Sequence, residues 1–200
     1  SDVRGEGIFI QFKEGKIQQW LAKLAVKSWE EKFFSSHKQW KKAHFSEKPE
    51  EGFPGLRYVL LHSFSHALMR QFSLECGYSA ASIRERLYSS AGNGNDPMAG
   101  ILIYTASPDS EGTLGGLISL GETKTFEYHL HNALNSLRHC ANDPLCAENQ
   151  PSMDGRSIHA AACHACLFAP ETSCERGNKY LDRTCLVTTI NNDNMCFFMR

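Results

Sequence analysis

No apolar run in this chain approaches the ~20 residues that would span a bilayer. The formal net charge is only -1, so there is no global electrostatic case for nucleic acid or an acidic membrane surface. Phosphate-binding glycine signatures are missing too: there is no Gly-x-x-x-x-Gly-Lys and no Gly-x-Gly-x-x-Gly. With no Asp-Glu-x-His box either, ATP-driven work would have to come from another domain or protein. A Gly-x-Ser-x-Gly elbow and the paired His-x-Lys segments of a phospholipase-D site are also lacking. No internal repeat or low-complexity tract occurs, and the first residues, Ser1 to Glu6, form no apolar leader. What remains, 42% hydrophobic and 22% charged, suits an ordinary globular domain with a buried core, expected in a reducing cytoplasm.

What the chain does have is a concentration of sulfur. Six of its eight cysteines fall between Cys140 and Cys185. Cys163-His164-Ala165-Cys166 is a Cys-x-x-Cys knuckle, with Cys146 upstream and Cys174 downstream. Two thiolates on one tight turn, completed by two from other segments, make the tetrahedral sulfur site that zinc prefers in structural roles. Disulfides would need an oxidising compartment, a redox pair would sit between a strand and a helix, and iron–sulfur chemistry uses the same ligands. The expected zinc ligands are Cys146, Cys163, Cys166 and Cys174. Cys140 competes with Cys146 for the fourth place, and Cys146 is preferred because it follows Asp143-Pro144 in a loop. His139, His159 and His164 are expected outside the ligand set.

In chain order, Gly7 to Phe12 reads as a strand and Lys13-Glu14-Gly15 as a turn. One amphipathic helix is expected from Lys16 through Phe34, on Ile17, Trp20, Leu21, Leu24 and Trp29. The basic stretch His37 to His44 around Trp40 could meet a phosphate backbone, but flanking glutamates favour a solvated face with one packed Trp. Ser46 to Gly55 is a linker. Pro54 opens the strongest helix, Leu56 to Leu74, apolar over more than half its circumference and central to the core. It carries His62 and His66 at i and i+4, a metal-capable spacing, though Ser63 stands where a zinc protease would have Glu. The blander reading makes them polar core groups with hydrogen-bond partners. Ser82 to Tyr88 and Gly100 to Thr105 read as strands. The glycine-rich stretch Ser107 to Leu117 is a weak phosphate signal and more simply a sharp turn. Thr123 to Arg138 is a helix that delivers the chain to the cysteines, a last helix or strand runs from Asn178 to Ile190, and the tail is peripheral. The fold class is therefore α+β: a small mixed sheet against several helices, with a four-cysteine knuckle in the C-terminal third. A single domain, 1–200, is expected, in parts 1–53, 54–138 and 139–190.

His62-x-x-x-His66-Ala67-Leu68, Ile101-Leu102-Ile103-Tyr104, Gly115-Gly116-Leu117, the cysteine cluster and Asn178-x-x-Leu181-Asp182-Arg183 occur here in that order. Together they resemble the MrfA-like zinc-binding domain, found at the C-terminus of some DNA-repair helicases and in the DrmB component of the DISARM anti-phage system. Asp143-Pro144-Leu145-Cys146, Ala162 to Leu167 and Pro170 to Glu175 are most similar to the DrmB-like branch. The resemblance implies zinc held by Cys146, Cys163, Cys166 and Cys174, and a helicase-type or phospholipase-D-like protein partner. It also implies a role in handling DNA during phage defence. Ala162 and His164 replace the glycine and proline that flank the first knuckle cysteine in the helicase branch.

Two functions follow. The favoured one is a zinc-stabilised binding or scaffold module that docks a helicase-type partner and touches DNA. The rival is a hydrolase or nuclease built on His62 and His66 with Asp109-Ser110-Glu111, or on an open zinc carrying water.

Overall fold

The fold is organised on one helix. In the computed structural model, which describes residues 5–92, 96–105 and 116–198, β1 (Gly7–Gln11), α1 (Glu14–Leu21) and α2 (Leu24–Ala43) precede α3 (Gly55–Cys76). Pro54 stands at the N-cap of α3, and Gly77 ends it in the left-handed region at φ 68°, where a side chain would be strained. Leu56, Leu60, Leu61, Leu68 and Phe72 are fully buried, and so are His62, Ser63 and Ser65. From Leu56 to Met69 α3 is thus enclosed around its whole circumference, and its polar side chains there need internal partners.

A sheet lies against it, formed by β2 (Ile83–Ser90) and β3 (Met98–Thr105) with β1. The order is β1-β3-β2, and both pairings are antiparallel, with Ile8 opposite Ile103 and Leu87 opposite Ile101. The α+β class holds, but the three described strands pair only antiparallel, where a mixed sheet was expected. Alternation along β2 buries Ile83, Glu85 and Leu87 and turns Arg84 and Arg86 outward. A carboxylate therefore stands on the apolar face of the strand.

The expected single helix after β1 is two. Glu14 and Gly15 lie inside α1, and the chain breaks at Ala22 and Lys23, the latter extended at ψ 137°. Unbroken, the helix would keep Leu24 in phase with Ile17 and Trp20. The break leaves Leu24 exposed and turns Val26 and Phe33 into the core. On α2, His37 is buried, bonded at 2.7 Å to the Tyr180 hydroxyl, and Trp40 stacks on His44.

α4 (Gly116–Ser119), α5 (Thr123–Ser136) and α6 (Leu145–Glu148) complete the helices. The glycine-rich stretch up to Gly115, including Asp109-Ser110-Glu111, lies outside the described residues. From 178 to 190 there is neither a long helix nor a strand but a 3-10 turn, Arg183–Cys185. Backbone bonds tie Tyr180, Leu181 and Arg183 to Ile158, Ala160 and Ala161. The tail is not peripheral as far as Phe198. Met195 and Cys196 are buried, the Trp20 indole donates to the Met195 carbonyl at 2.6 Å, and Phe198 stacks on Phe64. No described helix is long and apolar enough to cross a membrane.

Candidate metal centre

Two clusters of metal-capable side chains form among the described residues. The first is all sulfur. Cys140 lies in the loop after α5, Cys146 in α6, and Cys163 and Cys166 on a tight turn where Cys166 N–H and Leu167 N–H both donate to the Cys163 carbonyl. Sγ separations are 3.4 Å for Cys140–Cys163, 3.7 Å for Cys146–Cys166 and 3.7 Å for Cys163–Cys166. All four sulfurs lie within 4.8 Å of one another. These distances are far too long for a disulfide, about 2.05 Å, and close to the ~3.8 Å edge of a tetrahedron with zinc–sulfur bonds of about 2.3 Å.

Amide groups face the sulfurs as they would thiolates. Cys163 N–H donates to Cys166 Sγ at 3.3 Å, Asn142 N–H to Cys140 Sγ at 3.5 Å and the Asn142 side-chain amide to Cys163 Sγ at 3.3 Å. The hydrogen bond from Cys166 lowers Cys146 to about 6, burial lifts Cys140 to about 11, and the bond to Cys146 pushes Cys166 well above the thiol range. Cys140 and Cys166 thus hold their thiol protons beside a more acidic Cys146. A divalent cation would displace those protons and let all four sulfurs ionise.

One carboxylate sets the loop. Asp143 accepts the Cys140 N–H at 2.8 Å and the Ala147 N–H at 3.1 Å, so it holds the backbone on both sides of the first two cysteines. Arg183, fully buried, pairs with Asp143 and donates to the Leu137 carbonyl at 2.6 Å. Its neighbour Asp182 accepts the Trp29 indole at 2.7 Å and the Thr184 hydroxyl at 2.7 Å. The Leu-Asp-Arg segment is therefore the strut of the cysteine loop. Gly155, at φ 74°, lets the excursion between Cys146 and Cys163 close on α2: a Cβ there would stand 2.9 Å from that of Ala43.

Of the expected set, Cys146, Cys163 and Cys166 come together, and Cys140, the reserve, takes the fourth corner. Cys174 lies elsewhere, in the second cluster with His62, His66 and Glu85. Spacing alone does not say which way the chain runs after Cys166; Cys174 Sγ lies against His62 of α3 and not among the knuckle sulfurs. His139 and His164 are exposed, and His159 meets Asn149 and the edge of Phe168.

In the second cluster His62 and His66 meet edge to face one helical turn apart, their ring centroids 4.5 Å apart. His62 Nε2 lies 3.1 Å from Cys174 Sγ and 3.0 Å from Glu85 Oε1, and His66 Nε2 lies 3.3 Å from that same oxygen. Burial opposes every charge here, but mutual pairing outweighs it: Glu85 is held well below the usual carboxylate range, His62 is raised, His66 is raised to about 10 and Cys174 falls to about 6. Glu85 went unnoticed in the sequence, although the pattern Ile83-x-Glu85-x-Leu87 was a signal, a lone carboxylate in phase with two core aliphatics.

Residues 64–167 match the MrfA Zn-binding domain. The DISARM protein DrmB of Bacillus paralicheniformis is 42% identical over 200 residues, covering 98% of this chain and 34% of that protein. The chain thus spans about a third of the length of the curated relative it matches. The matched stretch, just over half the chain, contains all four cysteines of the sulfur cluster but neither His62 nor Cys174. On the strength of that match and of four thiols gathered at tetrahedral spacing within it, the chain belongs to the MrfA Zn-binding domain family and binds zinc.

Proposed function

We propose that the chain is a single zinc-stabilised binding and scaffold domain, 1–200, of a cytoplasmic anti-phage defence system, with Cys140, Cys146, Cys163 and Cys166 as the zinc ligands. The observation that carries this reading is the closure of the sulfur cluster. Four thiolates fill a tetrahedral ion and leave no open position for water or substrate, so the metal holds chain in place and does not perform chemistry. The relationship to DrmB supports the defence setting. The domain docks a helicase-type or phospholipase-D-like protein of that system and contacts DNA. Leu145 and Met153, 77% and 59% exposed on the cysteine loops, offer apolar contacts for such a partner. Against the hydrolase or nuclease stands the burial of His62 and His66, 0% and 1% exposed, where no polymer could reach them.

The test has two arms. Purified without added metal or chelator, the protein carries zinc that Cys140→Ser releases, and retention of the full zinc content in that variant would remove Cys140 from the ligand set. Duplex and single-stranded DNA binding should weaken steeply as salt rises. Binding that ignores salt, or none at all, would end the DNA part of the reading.

A further inference from the structure

We propose that His62, His66, Glu85 and Cys174 form a second metal site, closed and structural, that takes a divalent ion of the zinc class. The four donor atoms converge from α3, β2 and the loop after the knuckle, all within 4.8 Å of one another. A tetrahedral ion with bonds of about 2.0–2.3 Å to nitrogen, oxygen and sulfur has edges of about 3.3–3.6 Å. The separations His62–Cys174, His62–Glu85 and His66–Glu85, 3.0 to 3.3 Å, lie within about 0.5 Å of that spread.

The histidines are oriented as ligands. His62 Nδ1 donates to the Tyr180 carbonyl at 3.3 Å and His66 Nδ1 to the Leu167 carbonyl at 2.7 Å. A carbonyl only accepts, so each Nδ1 carries the proton, and in the neutral ring the Nε2 lone pair points at the cluster centre. Backbone carbonyls fix metal-bound imidazoles in this way. Tyr180 sits at φ 60°, a left-handed conformation costly for a bulky side chain, and that conformation belongs to the turn that brings its carbonyl to His62.

Hydrogen bonding alone leaves the cluster incomplete. Glu85 Oε1 is crowded by His62 Nε2, His66 Nε2 and the Glu175 N–H at 3.2 Å. Its other oxygen, Oε2, is buried with no hydrogen-bond partner. With neutral rings, two nitrogen lone pairs would face a carboxylate; with charged rings, two imidazoliums would sit side by side in the core. A dication between them satisfies both nitrogens, the thiolate and the carboxylate. Its charge of two balances Cys174 and Glu85. Cys174 Sγ also accepts N–H groups from Arg176 at 3.4 Å and Asn178 at 3.2 Å, the support a bound thiolate receives. Two imidazoles, one thiolate and one carboxylate suit zinc, cobalt or ferrous iron and not calcium or magnesium.

The experiment counts metal in wild-type protein and in Cys174→Ser and Glu85→Gln, all purified without chelator, and records the visible spectrum after cobalt exchange. Two zinc equivalents are expected in the wild type. One should be lost in either variant, with a four-thiolate cobalt spectrum remaining. Wild-type cobalt protein should show the sum of a four-thiolate spectrum and one of a mixed nitrogen, oxygen and sulfur site. That reading needs no variant to fold. A single equivalent in folded wild-type protein, with a pure four-thiolate spectrum, overturns the proposal and leaves the sulfur site standing. A single equivalent with a mixed spectrum, retained in Cys140→Ser, sustains this site and overturns the other.

Discussion

The two clusters draw on opposite kinds of chain. The sulfur cluster sits where the backbone has almost no regular structure: a loop, a one-turn helix and a knuckle, braced by Asp143 and Arg183. The mixed cluster hangs on the best-ordered elements, α3 and β2, and recruits one loop residue, Cys174. Ordering irregular chain costs conformational entropy, and the first ion adds to the few apolar contacts these loops make through Ile158, Ala160 and Leu167. At the second cluster the core exists already, through Leu61, Phe64, Leu68 and Ile83, and what an ion replaces there is a set of buried protons. Removing a ligand should therefore have different consequences at the two sites.

The largest effect should follow Cys163→Ser. Metal binding and folding are one equilibrium when the site does not exist without the fold. The expected outcome is loss of amide protection over 138–168, with α3 and β3 still protected in hydrogen exchange. A variant that kept protection across 138–168 would show that the loops order without zinc. Glu85→Gln should instead leave 138–168 protected and loosen 170–180, which Cys174 ties to α3.

Next in size is the strut. Arg183→Met leaves Asp143 without its partner and the Leu137 carbonyl without a donor. Breaking a fully buried pair from one side costs about 3–5 kcal/mol, and less is expected here because Asp143 is partly exposed and keeps two backbone donors. Because Asp143 holds the backbone at Cys140 and Ala147, the variant should also bind zinc more weakly, measured by competition with a chromogenic chelator. Unchanged zinc affinity would separate the strut from the metal.

Much of this was legible in advance, and the failures share a cause. One-sided apolar spacing found α5, and dense apolar runs found α3 and β3, because each keeps one pattern over its length. The meeting of Cys163 and Cys166 was readable because the two thiols are local in sequence. Cys140 against Cys174 was not, because that choice depends on how the chain turns after Cys166, and the turn is closed from beyond Cys174 by Asn178, left-handed at φ 59°, whose side chain bonds both backbone groups of Ala169. No spacing rule anticipates left-handed residues of that type. The break between α1 and α2 and the buried tail were missed together. Trp20 closes on Met195, at a sequence separation of 175 residues, and such a contact has no local signature.

A smaller effect is expected at Tyr180. Its hydroxyl donates to His37 Nδ1, since His37 Nε2–H already donates to the Glu51 carbonyl at 3.0 Å. Tyr180→Phe should cost about 1 kcal/mol in chemical denaturation while zinc content stays constant. A change in metal content would mean that the turn carrying the Tyr180 carbonyl depends on this bond, and would couple α2 to the mixed cluster.

The smallest effect calibrates both clusters from outside them. Arg57 Nη1 donates to Glu14 Oε2 at 2.6 Å and to the Met98 carbonyl at 3.3 Å, joining α1, α3 and β3. The Arg57 hydrogen bond holds the Glu14 carboxyl below its ordinary 4.5, against a smaller opposing effect of burial. A carboxylate with a depressed folded value stabilises fully above its unfolded value, and that stability is lost as pH falls through the folded one. Glu14→Gln should then cost about 1 kcal/mol or less at pH 7, with the difference from wild type vanishing as pH drops below 4.5. Chelation should leave this difference untouched, whereas it removes those produced at Cys163 and Glu85. If the Glu14 difference also disappeared with the metal, α1 and α3 would be held together by the ions and not by their own contacts, and the contrast between loops that need an ion and a core that does not would fail.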